Sequence, residues 1–202
     1  MCSIDSSLVA VITFGSSEIH FIRVTNGRLV QDRTLNLQHN CSGIAHHHGN
    51  LYITSGTDLY QYTVDGTLLS KLNNDTTGLL ESSSCAVSPD GERIYVANKA
   101  QEDSNLVTLS RDGRVISKLT DPAMYWLEQL PPGLHVTDSG QVLVCGVFSS
   151  LVFQMDRDGR QKLAEVVKRK NEVPLSVFFS WRTGSLIMGL LDNNNIMVFK
   201  AQ

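Results

Sequence analysis

The chain has 202 residues, 42% of them hydrophobic and 18% charged, with a formal net charge of −3. That is enough apolar material for a core and too little charge for a disordered chain, while the near-neutral balance excludes a broad basic field for nucleic acid and leaves only local patches. No apolar run approaches the roughly 20 residues that span a bilayer, and Met1-Cys2-Ser3-Ile4-Asp5 lacks the basic segment and apolar core of a secretory leader.

Predicted strands begin at 8–14, 18–24 and 28–35, the last two joined by Asn26-Gly27. No inner strand precedes the first of them, because residues 1–7 are short and polar. The second unit runs from an inner strand at 43–47 and the turn at Gly49 through Leu51-Tyr52-Ile53 and 59–64 to Asp65-Gly66 and 67–72. The third repeats the order with 84–87, Ile94-Tyr95-Val96, 106–110, Asp112-Gly113 and 114–119. The fourth has 133–136, Val142-Leu143-Val144, 151–155, Asp158-Gly159 and 160–166. The fifth has 176–179, Leu186-Ile187-Met188 and 196–200, where a further hairpin is due.

The Asn-Gly and Asp-Gly pairs accept positive φ at both central positions, so each is expected to close a type I′ hairpin. Their recurrence at about 40 to 47 residues, between strands rather than helices, is the signature of propeller blades. Each unit grades from compact apolar strands, buried on both faces, to a polar last strand at an edge facing water. The expectation is one all-β domain over 1–202, a β-propeller of four-stranded antiparallel blades at about 8–37, 41–74, 84–120, 133–167 and 175–202. Three blades are complete, the first lacks its inner strand and the last its outer one. A six-bladed ring would need roughly 265 residues, so the chain reads as an N-terminally incomplete propeller. Open edges carrying Val9, Val11, Val198 and Phe199 are then expected to favour self-association.

Ser42-Gly43-Ile44-Ala45, the turn at His48-Gly49-Asn50, Leu51-Tyr52-Ile53-Thr54 and the run from Leu59 to Gly66 resemble an NHL repeat. Ser88-Pro89-Asp90-Gly91 and Asp138-Ser139-Gly140 follow the same grammar. Over about residues 40–202 the chain is most similar to the C-terminal propellers of tripartite-motif (TRIM-NHL) proteins. The resemblance implies a cytoplasmic recognition module for a protein partner or a ubiquitination substrate, with RNA as the alternative ligand. The chain has no zinc framework and no heptad run, so it carries no ubiquitin-ligase activity of its own. The scattered cysteines, Cys2, Cys41, Cys85 and Cys145, fit a reducing compartment.

Candidate functional residues fall in three groups. Adjacent strand residues point to opposite faces, so within His46-His47-His48 only His46 and His48 could share a metal, and a zinc ion needs three or four ligands. His135, on an innermost strand, is a further weak metal or ligand candidate facing the channel. Lactonase-like and lyase-like propellers hold their metal with rings of His or carboxylates, which the inner strands lack. The aspartates at 90, 112, 138 and 158 serve turns, so neither catalysis nor a cofactor is expected. The loop 121–132 carries Met124, Tyr125 and Trp126, which with Phe148 are the expected partner-binding anchors, with a Trp126 tucked back over the core as the equal alternative. Lys168, Arg169 and Lys170 form the RNA candidate, faced by Glu102, Asp103, Asp121, Glu128 and Glu172.

Overall fold

The computed structural model describes residues 1–72, 81–100, 103–126, 130–168, 172–191 and 194–200, and all regular structure among them is β. The first sheet is β1 (Cys2–Ser3), β2 (Leu8–Ile12), β3 (Glu18–Thr25) and β4 (Arg28–Asn36); the second is β5 (Gly43–His47), β6 (Asn50–Ser55), β7 (Asp58–Thr63) and β8 (Leu68–Lys71). The third holds β9 (Glu81–Val87), β10 (Arg93–Ala100), β11 (Asp103–Ser110) and β12 (Val115–Thr120). The fourth holds β13 (Leu134–Val136), β14 (Val142–Gly146), β15 (Leu151–Met155) and β16 (Lys162–Lys168). The fifth has three strands, β17 (Pro174–Ser180), β18 (Ser185–Leu190) and β19 (Ile196–Lys200). Every sheet is an antiparallel meander in chain order, and the five together make a five-bladed β-propeller.

The first blade corrects the sequence reading. Cys2 pairs with Ala10 and Ser3 with Val9, so the N-terminus does supply an innermost strand. A side chain makes this possible: Asp5 Oδ1 accepts the Ser7 and Leu8 amides at 2.7 and 2.8 Å, while the Ile4 amide donates to the Leu8 carbonyl at 2.8 Å. An aspartate turn folds so short a segment back without any apolar run. Among the described residues four blades are therefore four-stranded and the last has three strands.

The hairpins need a second correction. Asn26 and Gly27 both have positive φ, 53° and 72°, as a type I′ turn requires. In the other three only the glycine does. There the Gly66, Gly113 and Gly159 amides donate three residues back, to the Thr63, Ser110 and Asp156 carbonyls at 2.9–3.0 Å. That is a type I turn with glycine in the left-handed region. A register shift lies further along the outer strand pair of all four of these blades, the type I′ one included.

Alternation along the second and third strands sends one row of side chains to the preceding blade and one to the next. Ala10 and Phe21 meet Leu51 and Tyr62; Tyr52 and Leu59 meet Ile94 and Leu109; Tyr95 and Leu106 meet Val142 and Phe153; Leu143 and Val152 meet Leu186 and Met188. Among the described residues these four clusters join consecutive blades and none joins the fifth to the first. Phe178, Ile187 and Val198 share a row on the fifth sheet's other face, where Phe178 is 51% and Val198 60% exposed.

Candidate functional site

The rim between the third and fourth blades carries an aromatic patch built by the connection leaving β12. Asp121 starts it: its Oδ1 accepts the Ala123 amide at 2.9 Å, its carbonyl accepts the Met124 amide at 2.8 Å, and its Oδ2 meets Lys162 Nζ at 2.9 Å. Burial pushes the Asp121 carboxyl up, but the Ala123 amide and the Lys162 ammonium outweigh it and hold the group below its ordinary value. Two residues on, the Trp126 amide donates to Ser104 Oγ at 3.2 Å, tying the segment to β11.

Between those ties the side chains alternate in burial. Met124 and Trp126 turn inward, at 1% and 0% exposure, into the core shared by the third and fourth blades. Met124 is corrected from the exposed anchor the sequence suggested, and Trp126 takes the second course the sequence left open, tucked over the core. The Trp126 ring is the larger apolar surface, and the interblade core beneath the loop has room for it. Its Nε1 finds no hydrogen-bond partner among the described residues. Tyr125 takes the opposite side, at 39% exposure.

Phe148, in the hairpin between β14 and β15, is 52% exposed, and its ring centroid lies 5.4 Å from that of Tyr125 at 58°. The hairpin approaches the loop closely at Gly146, where a Cβ would lie 2.9 Å from the Ala123 carbonyl oxygen. Beneath the patch Lys99 Nζ sits 4.5 Å from the Tyr125 ring centroid, on a residue only 7% exposed. A desolvated cation over an aromatic face contributes up to about 2 kcal/mol and a tilted aromatic pair about 1 kcal/mol. The Tyr125 ring is therefore held in one place before anything binds. The sequence reading missed Lys99. Its signal was the inward alternation Tyr95, Ala97, Lys99, which puts a cation where an apolar residue belongs.

The remaining candidates lie elsewhere. Lys168 ends β16 and is exposed; Arg169 and Lys170 lie outside the described residues, as do Glu102 and Glu128. His46 Nε2 accepts the Gly49 amide at 3.0 Å, so its lone pair serves the turn, and burial holds its pKa below the ordinary value. His48 is a turn residue with φ 44°, set edge-on to His47 at 4.2 Å. His135 lies 4.8 Å from the Phe178 ring across neighbouring inner strands, and burial lowers its pKa as well. Among the described residues no three His, Cys, Asp or Glu side chains converge as a metal site.

The chain matches no known family profile and none of the curated proteins. Solved structures share its fold widely, with 1061 matching chains. A protein of unknown function from Bacteroides caccae superposes with a TM-score of 0.60 at 18% identity, over 97% of this chain and 74% of that one. A chain of the mitotic checkpoint complex superposes with a TM-score of 0.68 at 12% identity, over all of this chain and 60% of that one. At such identities the likeness concerns the fold, and this chain spans less than two thirds of the checkpoint protein's length. The protein is a β-propeller, an architecture compatible with a protein-interaction module.

Proposed function

We propose that this protein is a non-enzymatic recognition module of the NHL type, similar to the propellers of tripartite-motif proteins, and that it binds a protein partner at the Tyr125–Phe148 rim. The observation that carries this reading is the preorganised aromatic pair. Two rings are presented to solvent yet locked by Lys99 below, by the Ser104 tie and by the buried Trp126 beside them. Exposed, immobilised aromatics lose little entropy on binding and are the side chains that dominate interfaces. The Gly-turn and Asp-Gly grammar of the repeats supports the NHL assignment. Four cysteines without disulfides support a cytoplasmic location.

A photocrosslinking amino acid at Phe148, with a second variant carrying it on the outer strand at Leu69, tests the site in extracts of the source cells. The reading predicts discrete protein crosslinks at position 148, absent at 69 and lost with Tyr125→Ala. Equal crosslinking at both positions refutes the site. Crosslinks to RNA in place of protein would move the assignment to the alternative ligand.

A further inference from the structure

The rim patch stands over a positive charge that none of the described residues neutralises. Lys99 faces Ser104 across β10 and β11, two residues beyond the Ala97–Leu106 pair that packs on the fourth blade, so the strand period puts all four on one face. Lys99 is only 7% exposed, and its buried Nζ has no hydrogen-bond partner among the described residues. The described carboxylates of this rim do not supply one: Asp121 is paired with Lys162 at 2.9 Å, and the buried Glu172 Oε2 is itself without a partner. Buried polar groups are nearly always satisfied, and a buried ammonium costs more than most when it is not.

What Lys99 does have is the Tyr125 ring, with Nζ 4.5 Å from its centroid. A ring face attracts an ammonium without cancelling its charge. The same cluster holds a second buried donor without an acceptor, Trp126 Nε1. Ser104 Oγ serves neither donor, because it accepts the Trp126 amide at 3.2 Å and donates to the Trp126 carbonyl at 3.4 Å. Beneath Tyr125, then, the polar groups left over are donors, and one of them is a cation. An occupant that brings an acceptor with a full negative charge answers this deficit, and a cationic one aggravates it.

We propose that the rim recognises an acidic peptide segment, one Asp or Glu carboxylate seated at the edge of the Tyr125 ring with an apolar neighbour against Phe148. This rests on the rim being the contact surface and adds the charge of what binds there. The edge of an aromatic ring is its positive side, so ring and Lys99 attract the carboxylate together. At the ring edge the carboxylate is about 7 Å from Nζ, where an effective dielectric of 20 makes the attraction worth about fifty-fold in affinity. Phe148, at 52% exposure, supplies the apolar half of the contact. One buried ammonium suits one carboxylate, whereas a nucleic-acid backbone is held by several cations at once.

Selection of a displayed random-peptide library on the full chain, counter-selected on Tyr125→Ala, yields probes for the rim. The enriched peptides should carry Asp or Glu beside an apolar residue. In calorimetry, exchanging that acid for its amide should weaken binding to the parent at least tenfold, a comparison that leaves the protein unaltered. In Lys99→Met the exchange should change nothing. That variant should keep a urea midpoint equal to the parent's or higher, since the thioether retains the ring contact and no unpaired charge is left buried. A clearly lower midpoint would show that the ammonium is already paired within the chain and overturns the proposal. Peptides that need Tyr125 but carry no acid, or an acid whose loss costs the same in parent and Lys99→Met, also overturn it and leave the rim surface standing. If no peptide depends on Tyr125, the rim surface and the proposal fall together.

Discussion

Trp126→Ala separates the support of the rim patch from its contact surface. The indole is fully buried in the cluster that includes Tyr95, Leu106, Val142 and Phe153. Its N–H finds no acceptor among the described residues, so what the side chain contributes is packing. Truncating a buried Trp costs about 3 to 5 kcal/mol, from lost transfer energy and the remaining cavity. For a chain of this size each kcal/mol moves Tm by about 2 to 4 °C, so the variant should melt roughly 6 to 20 °C lower. Tyr125→Ala removes a ring that is 39% exposed, with one aromatic and one cation contact, and should cost only about 1 to 2 kcal/mol. Thermal and urea unfolding followed by circular dichroism give both numbers. Fluorescence adds a check in Trp181→Phe, which removes the 69% exposed indole and leaves Trp126 alone. Its emission should be blue-shifted and shielded from iodide. A Trp126→Ala variant within about 1 kcal/mol of the parent, or an iodide-quenched Trp126, would refute the packing described for this loop.

Three further outcomes are expected. Gly159→Ala should lower the urea midpoint more than Gly27→Ala, since both have positive φ but only position 159 meets a neighbour, Thr108 Oγ1, within 4 Å; the left-handed penalty is about 1 to 2 kcal/mol at each, and equal losses would contradict the close packing of that turn on the third blade. Burial holds the His135 imidazole below 6.5, so the unfolded chain takes up a proton as pH falls through 6.5 while the folded chain does not. Stability should therefore drop below that pH, with His46 adding in the same direction. In His135→Gln the drop should be shallower, and urea midpoints with the same pH slope in parent and variant would contradict this. Phe178 and Val198 form an exposed apolar row on the fifth blade, so sedimentation should show association rising with concentration, weakened at least tenfold in Phe178→Glu with Val198→Lys; a monomer at every concentration would count against it.

The architecture was legible because propeller strands are specified locally. Each Asp-Gly turn, each apolar run and each polar outer strand could be placed without knowing what packed against it, and the five units fall where the period put them. The turn type was not legible, since Asp-Gly closes either a type I′ turn or a type I turn with a bulge, and the twist of the paired strands chooses. The first inner strand was missed because its two residues are held by the Asp5 turn rather than by hydrophobicity. The rim divided along the same line. Composition marked the loop at 121–132, but which of Met124, Tyr125 and Trp126 faced water depended on the Ser104 tie and on the core that the fourth blade offers beneath. Lys99, Tyr125 and Phe148 come from three separate stretches of the chain. Their meaning arises only when neighbouring blades are set side by side, because an interblade surface belongs to two repeats and is written in neither alone.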